Sequence, residues 1–170
     1  MDINRDSFTI LMADDDADDF FLLKEGLIES QIDCDLRHVQ DGEELMHYLL
    51  KQGRFIDHEP GPLPLFILLD LNMPGKNGRD VLAEIKSVPE LNHIPVIMYT
   101  SSRDDEDVRQ CYALGASSYI NKPVERDQLI HMIMNLFSYW TRTVILPEAE
   151  FIASPKNADW QDAEKRQSAG

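Results

Sequence analysis

The sequence predicts an α/β fold, a doubly wound parallel sheet with helices on both faces, and three observations support it. Short apolar runs alternate with longer amphipathic stretches along most of the chain. The run Phe66–Leu69, which ends abruptly in Asp70, is typical of a central strand that is buried on both faces. Five strands and five helices alternate up to about Trp140, and such alternation requires right-handed crossovers that pack back on one sheet.

Five strands are predicted from the apolar runs. The second alternates apolar and polar residues, as a half-exposed edge strand does, whereas the first, third and fourth are mainly apolar. In chain order the strands are Phe8–Ala13, Cys34–Val39, Phe66–Leu69, Ile94–Tyr99 and Ser118–Asn121.

Each predicted helix presents one apolar stripe. Asp16 is a natural N-cap for the first helix, and Asp18 and Asp19 in its first turn need no role beyond favouring the helix dipole. The helices run to about Gln31, over Glu43 to about Gln52, Asn77–Ser87, about Asp104–Leu114, and Glu125 to about Trp140. Their inward residues are Phe20, Leu23 and Leu27; Leu45, Tyr48 and Leu49; Val81, Leu82 and Ile85; Val108, Cys111 and Tyr112; and Leu129, Ile133, Leu136 and Trp140.

Length and composition limit the protein class. The 170 residues are expected to form one domain over residues 7–140, followed by an arm and flexible tail over 141–170. No apolar run approaches the ~20 residues of a membrane span, and two cysteines on separate elements indicate reduced thiols, so we expect a cytoplasmic protein without membrane contact. A formal charge of −15 argues against nucleic-acid binding.

Reactive side chains follow four of the predicted strands: Asp14 and Asp15 the first, Asp70 the third, Thr100 the fourth and Lys122 the fifth. The carboxyl ends of parallel strands share one edge, so these groups can converge. Three clustered carboxylates repel one another, and a divalent cation such as Mg²⁺ relieves that repulsion. With one carboxylate as nucleophile and Lys122 and Thr100 binding a trianionic group, the set suits phosphoryl transfer.

These motifs resemble the response regulator receiver domain over about Phe8–Tyr139. The resemblance is carried by Asp14-Asp15, by Asp70-Leu-Asn-Met-Pro-Gly, by Thr100-Ser101 and by Tyr119-Ile-Asn-Lys122-Pro123. Thr100 and Lys122 lie 30 and 52 residues after Asp70, as in chemotaxis receivers. The resemblance implies a (βα)5 flavodoxin-like fold with strand order 2-1-3-4-5, and a phosphoryl acceptor with intrinsic autodephosphorylation rather than a conventional enzyme.

The resemblance also implies a role for each matched residue. Asp70 would accept the phosphoryl group from a histidine kinase, and Mg²⁺ would bind Asp15, Asp70, the backbone carbonyl of Asn72 and, directly or through water, Asp14. Lys122 and the Ser101 amide would contact the phosphoryl group, and Thr100 and Tyr119 would form the switch pair. Asn72 and Ser102 would tune dephosphorylation, and the Lys122–Pro123 bond would be cis.

A closer resemblance is to single-domain regulators that partner phytochrome-type histidine kinases, from the insertion Gly53–Pro64 and the extension Tyr139–Pro147. It implies signalling to an unknown downstream protein through the face formed by helix four, strand five and helix five. The apolar surface of helix five and the following arm predicts a homodimer, the alternative being a monomer in which the arm folds back over that surface. Its contacts would be Ile130, Met134, Phe137, Trp140, Val144, Ile145 and Leu146.

Four other functions are weighed against this one. A phosphatase of the haloacid dehalogenase type shares the residue types, but its motifs occur in a different order and Asn72 stands where it has its second Asp. Too few residues follow helix five for a helix-turn-helix domain. The intact constellation argues against a pseudo-receiver, and the acidic stretch Ala13–Asp19 argues against a flavin mononucleotide carrier.

Overall fold

A computed structural model describes residues 8–56 and 63–147. Five parallel strands form one sheet in the order β2-β1-β3-β4-β5, which confirms the predicted fold class and strand order. The strands are β1 (Thr9–Ala13), β2 (Asp35–Val39), β3 (Phe66–Leu69), β4 (Val96–Thr100) and β5 (Ser118–Asn121). Residue 7, residues 57–62 of the predicted loop and residues 148–170 of the predicted tail lie outside the described ranges.

Five α-helices alternate with the strands. They are α1 (Ala17–Glu29), α2 (Gly42–Leu49), α3 (Gly78–Ser87), α4 (Asp105–Ala113) and α5 (Arg126–Ser138). A 3-10 turn at Gly53–Phe55 follows α2, and a π-helical turn at Tyr139–Thr143 extends α5 beyond its predicted end. Asp16, Asp41, Asn77 and Asp104 cap the first four helices with side-chain oxygens that accept backbone N–H groups.

Two apolar layers hold the sheet. One packs α2, α3 and α4 against the strand residues that include Leu11, Ile67 and Val96. The other packs α1 and α5 against the alternate strand residues, which include Ile10 and Phe66. Strand residues alternate between the two faces, so β1, β3 and β4 are buried throughout and mainly apolar, as the sequence predicts. None of the helices in the described ranges has the length and apolar content that a membrane crossing requires.

The structure corrects the predicted apolar stripes in two helices. Tyr112, expected to face the core from α4, is 50% exposed. Phe137, expected at a dimer contact, is buried in its own subunit, with its ring centroid 5.6 Å from Phe8 and 5.7 Å from Phe66. The reason is that Phe8, just before β1, and Phe66, the first residue of β3, supply extra aromatic surface, so the apolar stripe of α5 is wider than its spacing suggests.

The predicted cis peptide bond before Pro123 is also wrong, because all peptide bonds of the described residues are trans. An X–Pro bond prefers the trans isomer by about 0.5–1 kcal/mol in the absence of other constraints. With the trans bond, Lys122 still reaches the carboxylates at the edge of the sheet.

Candidate phosphoryl-acceptor site

The strand register brings the predicted site residues to one edge of the sheet. Ala13 pairs with Leu69, so Asp14 and Asp70 are the next residues of neighbouring strands. On the other side, Thr100 pairs with Asn121, and Lys122 follows directly. The amide of Asp70 donates to the carbonyl of Ala13 at 2.9 Å, which continues the β1–β3 pairing to the site itself. The prediction that these groups converge is thus confirmed for their backbone positions.

The start of α3 packs closely against the backbone of Asp70. The amide of Gly78 donates to the carbonyl of Leu71 at 2.9 Å, and a methyl group at Gly78 would overlap with the Asp70 carbonyl oxygen. Such a methyl group would also lie 2.8 Å from Cα of Leu71. Only glycine allows this approach, so Gly78 lets the start of α3 pack directly against the backbone that carries Asp70. The side chain of Asp70 is 9% exposed.

Asp14, Asp15 and Asp70 form an acidic cluster whose carboxylate oxygens lie within 4.8 Å of one another. Asp14 is fully buried, Asp70 nearly so, and Asp15 is exposed. Burial raises the pKa of Asp14, although its contacts with Lys122 and with the amide of Asp16 oppose that change. Oxygen ligands at this spacing, on a site with one open side, fit a hard divalent cation.

Lys122 is the cation that balances this edge. Its Nζ lies 2.7 Å from Oδ2 of Asp14, 3.2 Å from Oδ2 of Asp70 and 2.6 Å from Oδ2 of Asp19. Burial alone would lower the pKa of Lys122, but the close contacts with Asp14 and Asp19 and the charge of Asp70 raise it well above its usual value. The ammonium therefore stays charged: it donates hydrogen bonds to Asp19 and Asp70 and forms an ion pair with Asp14.

Asp19 is the site residue that sequence reasoning missed. Its place in the first turn of α1 was explained by the helix dipole alone. The available signal was that α1 begins at the same edge at which β1 ends, so its first turn can reach the site. Asp18, its neighbour in the same turn, is exposed.

Thr100 and Tyr119, the predicted switch pair, meet through the backbone of Ser102. The buried Thr100 hydroxyl oxygen accepts the amide of Ser102 at 3.3 Å, and the half-buried Tyr119 donates its hydroxyl to the Ser102 carbonyl at 3.2 Å. The side-chain amide of Asn121 also donates to that carbonyl. A movement of the Thr100 hydroxyl would therefore change a contact with the backbone of Ser102, whose carbonyl accepts from Tyr119.

The hydroxyl of Ser102 is tied to a neighbouring helix. It donates to Oδ2 of Asp107 at 2.6 Å, and Oδ1 of Asp107 accepts from Arg79 of α3 at 2.8 Å. The loop after β4 is therefore linked to both α4 and α3. The remaining predicted residues lie on the open side of the site: Ser101 and Asn72 are exposed, and the Asn72 amide lies 3.4 Å from Oδ1 of Asp70.

Comparisons with known proteins agree with this geometry. The family model of the response regulator receiver domain matches residues 10–134. Response regulator Rcp1 of Synechocystis sp. is 41% identical over 140 residues, which are 82% of this chain and 93% of that protein. The Mn²⁺-bound form of Rcp1 superposes with a TM-score of 0.73 at 40% identity, covering 83% of this chain and 99% of the other. The phosphorylated cyanobacterial phytochrome response regulator RcpA gives 0.76 at 36% identity, covering 84% and 99%.

Proposed function

The chain belongs to the response regulator receiver domain family, and from that premise we propose that Asp70 accepts a phosphoryl group from the phosphohistidine of a histidine kinase. The observation that carries the proposal is the position of Asp70 between an acidic pair and Lys122 at the carboxyl edge of the sheet. A structural aspartate would be expected to have its charge matched by its neighbours. Here three clustered carboxylates and Asp19 share a single ammonium, which is an arrangement suited to further ligands.

The transfer breaks one bond and forms another. A carboxylate oxygen of Asp70 attacks phosphorus, the phosphorus–nitrogen bond breaks, and its electron pair returns to the imidazole of the kinase. The chain contributes mainly position and charge, as phosphoryl transfer requires. Lys122 would bind a phosphoryl oxygen from its place beside Asp70, and the Thr100 hydroxyl and the Ser101 amide would bind others.

We further propose that the cation is Mg²⁺. The fit rests on the acidic cluster, in which Asp14, Asp15 and Asp70 offer oxygens within 4.8 Å of one another. The backbone carbonyl of Asn72 would complete the ligand set, with Asp14 bound directly or through water. A divalent cation bound there supplies positive charge that offsets repulsion between the carboxylates and the phosphoryl oxygens. The Mn²⁺-bound form of the relative Rcp1 supports a divalent cation in this family.

Signalling would begin at Thr100. Its hydroxyl would turn toward the phosphoryl group, release the amide of Ser102, and shift the carbonyl that now accepts from Tyr119. Tyr119 could then rotate inward and change the face formed by α4, β5 and α5, which a downstream protein would read. Asn72 and Ser102 would tune the rate of autodephosphorylation.

The kinase is proposed to be of the phytochrome type, since RcpA is described as a cyanobacterial phytochrome response regulator. A cytoplasmic location is consistent with the two cysteines, because Cys34 and Cys111 pack in different layers on opposite faces of the sheet and remain free thiols.

Homodimerisation through α5 and the arm over residues 141–170 remains a proposal, with fewer contacts than the sequence predicted. Phe137 is excluded by its burial, and Trp140 is half-buried with its ring centroid 6.1 Å from Phe66. Apolar surface remains at the outer side of α5 and beyond it, with Met134 54% and Ile145 98% exposed. Ile130, Val144 and Leu146 are half-buried. A groove of about 500 Å³ between β5 and α5 is lined by residues that include Met132, Tyr139 and Trp140.

The phosphoryl-acceptor proposal is tested with the full chain, acetyl phosphate and Mg²⁺, by intact-mass spectrometry. One phosphoryl group should add to the wild type, and Asp70→Asn should block the addition. The matched control is Asp33→Asn, which removes an exposed carboxylate before the amino end of β2, at the opposite edge of the sheet. Unchanged labelling of the Asp70→Asn protein would refute the proposal.

The dimer proposal is tested by sedimentation of Met134→Glu against Gln128→Glu. Both variants add one negative charge to an exposed position of α5, but at positions on different sides of the helix. The wild type and the Gln128 variant should sediment as dimers, and the Met134 variant should dissociate. A wild-type chain that stays monomeric at micromolar concentration, with or without phosphorylation, refutes the dimer.

A further inference from the structure

Lys122 binds three carboxylates, and one of them lies outside the acidic cluster. Its Nζ contacts Oδ2 of Asp14 and Oδ2 of Asp70, which are both members of the cluster that could hold a cation. The third contact, to Asp19, is the shortest at 2.6 Å. Within the described residues, Asp19 belongs to no group that could ligate a metal.

The ammonium and a divalent cation would therefore compete for the same two carboxylates. Two cations that share oxygen ligands only a few ångströms apart repel each other strongly at a partly buried site. Lys122 is 12% exposed, so if it gave up Asp14 and Asp70 without another partner it would become a buried, unpaired charge. The site needs a carboxylate that remains with Lys122 when the cation binds.

Asp19 has the properties of such a partner. It lies in the first turn of α1, whose N-cap is Asp16, so it approaches Lys122 from a helix while Asp14 and Asp70 approach from strand ends. Its side chain is 28% exposed, so it can hold its charge without a second cation. We infer that Asp19 is a positioning residue that anchors Lys122 beside Asp70 and so allows a divalent cation to bind the other carboxylates. The inference rests on the proposed cation site.

The inference is tested by the affinity of the full chain for Mn²⁺, followed from the electron paramagnetic resonance signal of the free ion, with no phosphoryl donor present. Asp19→Asn should weaken Mn²⁺ binding by about three- to tenfold, which lies in the lower part of the range of coupling within one hydrogen-bonded network. Asp18→Asn is the matched control, because it removes the same charge from an exposed position of the same helical turn. The Asp18→Asn variant should change the Mn²⁺ affinity far less, and Asp19→Glu should retain most of the wild-type affinity.

A double-mutant cycle separates anchoring from a direct effect of charge. In a Lys122→Met background the competing ammonium is gone, so Asp19→Asn should lose most of its effect on Mn²⁺ affinity. Equal effects of Asp18→Asn and Asp19→Asn, or an Asp19→Asn effect undiminished without Lys122, would overturn the inference. Neither result bears on the proposed function. That proposal is refuted if the wild type accepts no phosphoryl group at Asp70. Circular dichroism of each variant verifies that it is folded.

Discussion

Replacing Lys122 by Met should destabilise the cation-free protein by about 3–4 kcal/mol at pH 7, because removal of one partner from a buried ion pair costs about 3–5 kcal/mol. The lost ammonium is 12% exposed, and Asp14, which it contacts at 2.7 Å, is 1% exposed. The penalty has an upper limit, since Asp14 can escape it by taking up a proton. For a carboxyl group with an ordinary pKa near 3.9, that protonation costs about 4 kcal/mol at pH 7.

The destabilisation caused by Lys122→Met depends on pH. Burial already raises the pKa of Asp14, and without Lys122 that effect is less opposed. The folded variant then binds a proton that its unfolded chain releases, so the variant regains stability relative to the wild type as the pH falls. At pH 5 the cost of protonating Asp14, and with it the penalty, should shrink to about 1.5 kcal/mol.

Urea denaturation at pH 7 and pH 5, with a chelator present, measures both values. Lys24→Met is the matched control, because it removes the same charge from an exposed position of α1. It should change the free energy of unfolding by less than about 0.5 kcal/mol at either pH. A Lys122→Met penalty below about 1 kcal/mol at pH 7, or one that is equal at the two pH values, would contradict the electrostatic account.

Three further predictions follow from packing and burial. Gly78→Ala should lower the free energy of unfolding by about 1–3 kcal/mol, measured in urea, because its methyl group overlaps with the Asp70 backbone. Phe137→Ala should cost about 3–5 kcal/mol by the same assay, whereas Met134→Ala should cost under about 0.5 kcal/mol in the monomer. Burial and neighbouring acids raise the pKa of Cys34 to about 11. In a Cys111→Ala background, the rate of Cys34 alkylation should therefore keep rising up to that pH. A rate that reaches a plateau below pH 9 would contradict this.

The sequence predicted the sheet because the signals are local. Strand β3 is an uninterrupted apolar run, β1 and β4 are apolar apart from a threonine at one end, and the residue after β1 and β3 is a carboxylate. Once the strands are known to be parallel, their ends must share an edge, so Asp14, Asp70 and Lys122 could be brought together without coordinates.

The failures are contacts between elements that are distant in sequence. Phe137 was assigned to an outer stripe because helical spacing cannot reveal that Phe8 and Phe66 widen the layer beneath α5. Asp19 was missed because its partner Lys122 lies 103 residues away. The helix dipole already explains an acidic residue at that position, so the sequence gives no reason to predict a second role for Asp19.

Charge at the edge of the sheet explains why the proposed acceptor needs a cation although the cation changes no bond. Four carboxylates, Asp14, Asp15, Asp19 and Asp70, face one ammonium. A phosphoryl group would add negative charge to a site that already carries an excess of it, and two like charges about 4 Å apart repel by roughly 4 kcal/mol at an effective dielectric constant near 20. Lys122 cannot offset this alone, because its one positive charge already lies within 3.2 Å of three carboxylate oxygens. Phosphoryl acceptance at Asp70 should therefore require a divalent cation in the cluster, and Asp19 determines whether Lys122 makes room for it.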